Sequence, residues 1–206
     1  MIECFFDCSS PWTYLAFHNL QPLAEEFNET IIWRPILVGG IFNSINPSVY
    51  ASRERPVAEK ARYSAKDMQD WARLAGLKIK MPPSVFPVNS VKAMRACLVL
   101  EPSGQLTAFA RAVFEVYWAE DQDISRDEVL AEVCARVSID AAKLLKDIQL
   151  QSVKDQLKAN TAEVMRRGGF GSPTIFVGGD DMYFGNDRMP LIRDALVRRS
   201  GGAGER

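Results

Sequence analysis

A chain of 206 residues, 47% hydrophobic and 25% charged, has the composition of an ordinary globular protein and is long enough to bury a core without metal or disulfide support. Its 25 basic residues balance 26 acidic ones to a net charge of -1, so no nucleic-acid partner is expected from charge. No apolar run approaches the roughly 18 residues of a membrane span, and MIECFFDC has no basic region ahead of an apolar core, so the expectation is a cytoplasmic protein with no membrane partner.

In chain order, Ile2 to Phe6 reads as a buried strand. From Pro11, the residues Leu15, Ala16, Leu20, Leu23, Ala24 and Phe27 recur at helical spacing, with proline suited to the first turn. TIIWRPILV (30–38) is a β-branched second strand that Pro35 ends or kinks. This opening is β-α-β, which favours a parallel pair joined by a right-handed crossover. Residues 39–55 are turn-rich and read as an ordered loop. One or two helices follow Pro56 and stop at Gly76, and a proline-rich connection occupies 81–90. Further helices are expected over about 90–101, 105–119, 126–137 and 140–165, the third opening on a Ser125/Glu128 capping box. PTIFVGG and DDMYFG then read as a hairpin. Asn186 or Asp187 can cap a last helix before a frayed GGAGER tail.

The four cysteines, Cys4, Cys8, Cys97 and Cys134, form no Cys-x-x-Cys pair and read as small buried hydrophobes. The single histidine, His18, leaves a zinc site almost nothing to draw on. The glycine pairs at 39–40, 168–169 and 178–179 lack the context of a phosphate-binding loop.

Three segments could carry chemistry. In DCSSPWTYLA (7–16), Ser9 and Ser10 precede a helix with Pro11 at its start, the pattern of a plain N-cap. The same hydroxyl and the first helical N–H groups also form an anion site able to hold a thiol as thiolate. His18 lies about 12 Å along the helix from Ser10 by the helical rise, so it cannot serve as that serine's base. At Ser172-Pro173-Thr174 the proline either opens a strand in trans or forms a cis peptide that frees the Ser172 backbone for an extended ligand. In FGNDRM (184–189), Asn186 and Asp187 either cap the last helix or offer acceptors to an ammonium while helix N–H groups take a carboxylate.

In this order, DCSSPWTYLA, a helical insertion, GSPTIFV and GNDRM resemble the thioredoxin-like proteins of the DsbA-like and kappa-class glutathione transferase group over nearly the whole chain. The resemblance implies an α/β thioredoxin-like fold, β-α-β … β-β-α, built from 1–38 and 166–206, with 39–165 as a loop and helical insertion domain. Redox members open the first helix with Cys-Pro-x-Cys. Here Ser10-Pro11-Trp12-Thr13 replaces both thiols by hydroxyls, which argues against disulfide exchange.

What the resemblance implies instead is glutathione as cofactor, with Ser10 donating to its sulfur. Ser172 would pair through its backbone with the cysteinyl part, and Phe184, Gly185, Asn186 and Asp187 would hold the γ-glutamyl end. Asn46 and Lys60 would lie near the ligand, and Asn89 near the organic substrate. The D-x-x-SP-x-[ST]YLA start, P-T-x-F and F-G-N-D-R point to the glutathione-dependent isomerases of bacterial aromatic degradation somewhat more than to the kappa transferases. Those isomerases convert a 2-hydroxychromene carboxylate to trans-o-hydroxybenzylidenepyruvate, so the resemblance implies an aromatic carboxylate substrate and a homodimer. The alternatives are a kappa-like transferase or peroxidase on other electrophiles and a non-enzymatic thioredoxin-fold adaptor whose Ser-Pro-Trp-Thr is only a cap.

Overall fold

A computed structural model describes residues 1–201; the remainder of the tail lies outside the described residues. Four strands form one sheet in the order β2-β1-β3-β4, with β1 Ile2–Phe6, β2 Ile31–Pro35, β3 Thr174–Val177 and β4 Asp181–Phe184. The β1–β2 pair is parallel, as the β-α-β opening predicts, and β1–β3 and β3–β4 are antiparallel. The expected hairpin is the β3–β4 pair, turning through Gly178 and Gly179, both at positive φ. Strands from opposite ends of the sequence therefore meet at the centre of the sheet.

Alternation along β1 separates two apolar clusters. Phe6 packs with Phe17 of α1 (Pro11–Glu26) and Trp33 of β2, ring centroids 5.6 Å away in each case. Phe17 in turn meets Phe114 at 5.3 Å. Phe5 instead joins Ile36, Ile41, Val164 and Phe176 in a separate cluster. Burying each such side chain stabilises by about 1.5–3 kcal/mol, so the α1 face alone outweighs any cap.

Eight helices, α2 to α9, lie between β2 and β3 in the chain. The stretch read as a loop, 39–55, is largely helical: α2 Val38–Ser44 and α3 Ser48–Glu54. Its glycines and short polar residues carry little helix propensity, and burial of Ile41 against Phe5, Val164 and Phe176 overrides it. After α4 (Ala58–Leu74) come α5 (Val91–Leu100), a 3₁₀ turn Glu101–Ser103, and α6 (Leu106–Trp118), close to their expected bounds.

The capping box at α7 (Asp127–Arg136) does not form. Arg126 holds the cap position without a side-chain bond, and the Ser125 N–H donates to Asp123 Oδ1 at 2.9 Å, a local turn that competes with the cap. The single helix expected over 140–165 is two, α8 Ala141–Asp147 and α9 Gln151–Arg166. Leu144 and Ile148 bury one stripe; Leu157, Asn160, Thr161 and Val164 bury another. At about 100° per residue these stripes would face opposite sides of one straight helix, so the chain breaks between them.

The last helix, α10 (Met189–Gly201), follows a 3₁₀ turn Asn186–Arg188 rather than a side-chain cap. Asn186 spends its Oδ1 on Asn19 Nδ2 at 2.8 Å, and Asp187 Oδ2 lies 3.4 Å from Arg188. Neither side chain caps this turn. Among the described residues, no helix is long and apolar enough to cross a membrane.

Candidate functional site

A cleft of about 720 Å³ opens where the start of α1, the β2–α2 junction, the chain before α5 and the entry to β3 converge. That volume lies within the range of small-molecule sites. Its floor is a hydrogen-bonded network. Ser10 is the N-cap of α1, with extended backbone (φ -108°, ψ 124°), and its Oγ accepts from the Thr13 N–H at 3.3 Å. The plain N-cap reading of this serine therefore holds. The same Oγ donates to the Ser172 carbonyl at 3.2 Å, across the Ser172–Pro173 peptide, which is cis. Ser172 Oγ accepts from the Asp7 N–H at 3.0 Å and lies 2.7 Å from Thr13 Oγ1. The two hydroxyls that stand in the Cys-Pro-x-Cys positions thus both bond to Ser172.

Asp7, only 1% exposed, anchors this floor. Its Oδ1 accepts from the Ser9 N–H at 2.9 Å and its Oδ2 from the Val38 N–H at 2.8 Å. Burial pushes its pKa up; those two N–H groups and the Ser90 and Ser9 hydroxyls pull against the rise. One carboxyl thus ties the β1–α1 turn to the β2–α2 junction and to the start of α5.

Aromatic side chains shape the rim. Trp12, Phe42, Tyr50, Phe86, Phe170 and Phe184 line the cleft. The Phe170 and Phe184 rings meet at a tilt of 42° with centroids 4.4 Å apart, and Phe42 meets Tyr50 edge-on at 6.1 Å. Gly171 lies under this rim: a Cβ there would come within 2.8 Å of the Phe184 ring, so a larger residue would push the aromatic out of place.

Of the residues singled out in the sequence, Ser10, Ser172, Asn46, Asn89 and Phe184 all line the cleft. Asn46 Nδ2 donates to the Phe170 carbonyl at 3.2 Å, holding the α2–α3 connection against the rim. Asn89 is exposed, its Oδ1 accepting from the Val91 N–H at 3.1 Å. Lys60 is exposed on α4 and is not among the lining residues; nor are Gly185, Asn186 and Asp187. Gly185 takes φ 101°, and a Cβ there would meet Asp187 Oδ1 at 2.8 Å. Asn186 is 1% exposed, with its Nδ2 buried and unpartnered. That orphan donor lies outside the cleft lining, whereas the Ser10 hydroxyl is within it.

Two groups escaped the sequence reading. Asp7 had a signal, a carboxylate directly after the apolar run IECFF. The rest of the aromatic rim, Phe184 apart, had none, because the rim residues come from five separate segments without periodicity. All four cysteines are buried, and none lines the cleft. Burial pushes the Cys8 thiol well up, and Cys97 beside it adds to the rise. His18 is exposed and lines a different hollow with Tyr14, Arg111 and Glu115; partial burial, then the Arg111 charge, lower its pKa. Among the described residues no cluster suits a metal ion.

Comparison with known proteins agrees with this architecture. The 2-hydroxychromene-2-carboxylate isomerase of Pseudomonas putida is 28% identical over 204 residues, covering 96% of this chain and 95% of that protein. Glutathione S-transferase kappa 1 of Rattus norvegicus is 27% identical over 205 residues, covering 93% of this chain and 88% of that protein. A solved 2-hydroxychromene-2-carboxylate isomerase shares the fold with a TM-score of 0.83 at 24% identity, across 99% of this chain and 98% of its own. The thioredoxin-like α/β fold expected from the helix-opening and strand-entry motifs is therefore the fold observed. Residues 1–197 match the DSBA-like thioredoxin domain, and the chain belongs to that family.

Proposed function

We propose that this protein is a glutathione-dependent isomerase that converts 2-hydroxychromene-2-carboxylate to trans-o-hydroxybenzylidenepyruvate. The observation that carries the reading is chemical. The start of α1 presents the Ser10 hydroxyl to the cleft, and no cysteine is among the described lining residues, which supports a reactive sulfur carried by a ligand. When bound, glutathione supplies a thiolate that adds reversibly to a conjugated double bond and allows rotation about it. Ser10 turns its hydroxyl from the Ser172 carbonyl toward that sulfur, helped by the positive end of the 16-residue α1. The Ser172 backbone holds the cysteinyl part, and Phe184, Gly185, Asn186 and Asp187 orient the γ-glutamyl end. Asn46 flanks the ligand, Lys60 reaches it from α4, and Asn89 contacts the organic substrate. The aromatic rim excludes water and holds a flat substrate against the sulfur.

A second reading has one observation in its favour. Among the described residues lining the cleft there is no Lys, Arg or His to receive a substrate carboxylate. That suits a kappa-like transferase acting on an uncharged electrophile. Steady-state turnover of the chromene carboxylate against a halogenated aromatic, each with glutathione, separates the two. Turnover of the first with no net loss of glutathione supports the isomerase; thioether formation from the second alone contradicts it.

A further inference from the structure

The cleft contains one carboxyl group. Among the described lining residues, Asp7 is the only carboxylic acid, and no Lys, Arg or His joins it. A proton passed to a carboxyl of this described lining therefore has one candidate. Asp7 lies three residues before Ser10, and the backbone closes a turn between them, the Ser10 N–H donating to the Asp7 carbonyl at 3.2 Å. Ser9, between them, gives the carboxylate its N–H, adds its hydroxyl to the same group, and also lines the cleft. The route from the mouth of α1 to Asp7 thus passes through a hydroxyl that can both accept and donate.

This floor poses an electrostatic problem. Like charges in one poorly solvated cleft disfavour each other, so a thiolate at Ser10 and an ionised Asp7, both in the same lining, oppose each other. Cys8 and Tyr117, which both feel the Asp7 charge, are buried and pushed toward their neutral forms, and neither can carry a positive charge. Such a pair settles by sharing one proton. Burial favours the protonated carboxyl, the Ser9 and Val38 N–H groups oppose that, and a second anion in the cleft adds to the side of burial.

We infer that Asp7 receives the proton that a thiol gives up on binding at Ser10. The S–H bond breaks, an O–H bond forms on the carboxyl, and the net charge of the site stays at one negative. This rests on the reading of the cleft as a thiol site and extends it: Asp7 becomes the proton store of the addition and returns that proton when the thiol leaves. It also predicts that binding is silent in protons, whereas a site that ionises a thiol into solvent is not.

The test counts protons and thiolate separately. Glutathione is titrated calorimetrically at neutral pH in two buffers of different ionisation enthalpy, while an ultraviolet difference spectrum reports thiolate. Wild type is expected to show the thiolate band with no net proton release. In Asp7→Asn, thiolate formation is expected to release about one proton per site, because the acceptor is gone. A wild type that releases about one proton per thiolate overturns the inference, and that arm stands even if Asp7→Asn does not fold. An Asp7→Asn protein that forms thiolate silently also overturns it, by placing the acceptor elsewhere. Absence of a thiolate band in wild type removes the thiol-site reading itself, a failure that looks different from the other two.

Discussion

The floor and the rim of the cleft are held together by different physics. The floor is polar: Asp7, Ser10, Thr13 and Ser172 bond to one another at 2.7–3.3 Å, and three of the four are buried. The rim is long-range and apolar: Phe42 and Tyr50 come from the segment after β2, Phe86 from the proline-rich connection, and Phe170 and Phe184 from either side of β3. A hydrogen-bonded floor fixes atoms to a few tenths of an ångström, whereas an aromatic rim fixes only a shape. On the proposed function, chemistry falls to the floor and choice of organic substrate to the rim.

Substitutions can break that assignment. The largest effect is expected from Ser10→Ala. One hydrogen bond to a charged acceptor is worth about 1.5–3 kcal/mol, so turnover should fall roughly 10- to 100-fold while the glutathione constant moves only a few-fold. Loss of the cap should lower stability by about 1 kcal/mol, read in urea. An unchanged rate would put the floor out of the chemistry.

Asp187→Asn comes next. Outside the cleft lining and half exposed, this carboxylate is proposed to take the γ-glutamyl ammonium. The substitution should raise the apparent glutathione constant roughly 10-fold, with turnover restored at saturating glutathione. A melting-point loss with unchanged affinity would reduce Asp187 to a structural residue.

At the rim, Phe42→Ala removes the edge-on contact with Tyr50. An aromatic contact contributes about 0.5–1.5 kcal/mol beyond its area, so KM for an aromatic co-substrate should rise roughly 2- to 10-fold, with the glutathione constant unchanged. Equal changes in both constants would show that floor and rim do not divide the work. The smallest effect is expected from Cys8→Ala, which should leave glutathione-dependent turnover intact, since this buried thiol does not line the cleft. A folded variant without activity would place the reactive sulfur on the protein.

The same contrast governs what was legible in the sequence. Ser10 and Pro11 announce the start of α1 because capping is a local bargain among neighbours in sequence, and the β3–β4 hairpin is visible for the same reason. The helix α2 was invisible: Phe5, Val164 and Phe176, the burial partners of its Ile41, lie in distant segments. The α8–α9 break could have been found from its two opposed stripes. The Ser125 cap failed because Asp123 offered a nearer partner. Asp7 was in plain view within DCSSPWTYLA, but nothing in the sequence says that Val38, thirty-one residues on, supplies its second N–H.

The central claim is that the sulfur at Ser10 belongs to a ligand and is held there as thiolate. The measurement that tests it most directly is the pH titration of the thiolate band of bound glutathione, in wild type and in Ser10→Ala. The account predicts a band present at neutral pH in wild type, with its midpoint raised by about 1–2 pH units in the variant. Identical midpoints in the two proteins, or no band in either, would contradict it.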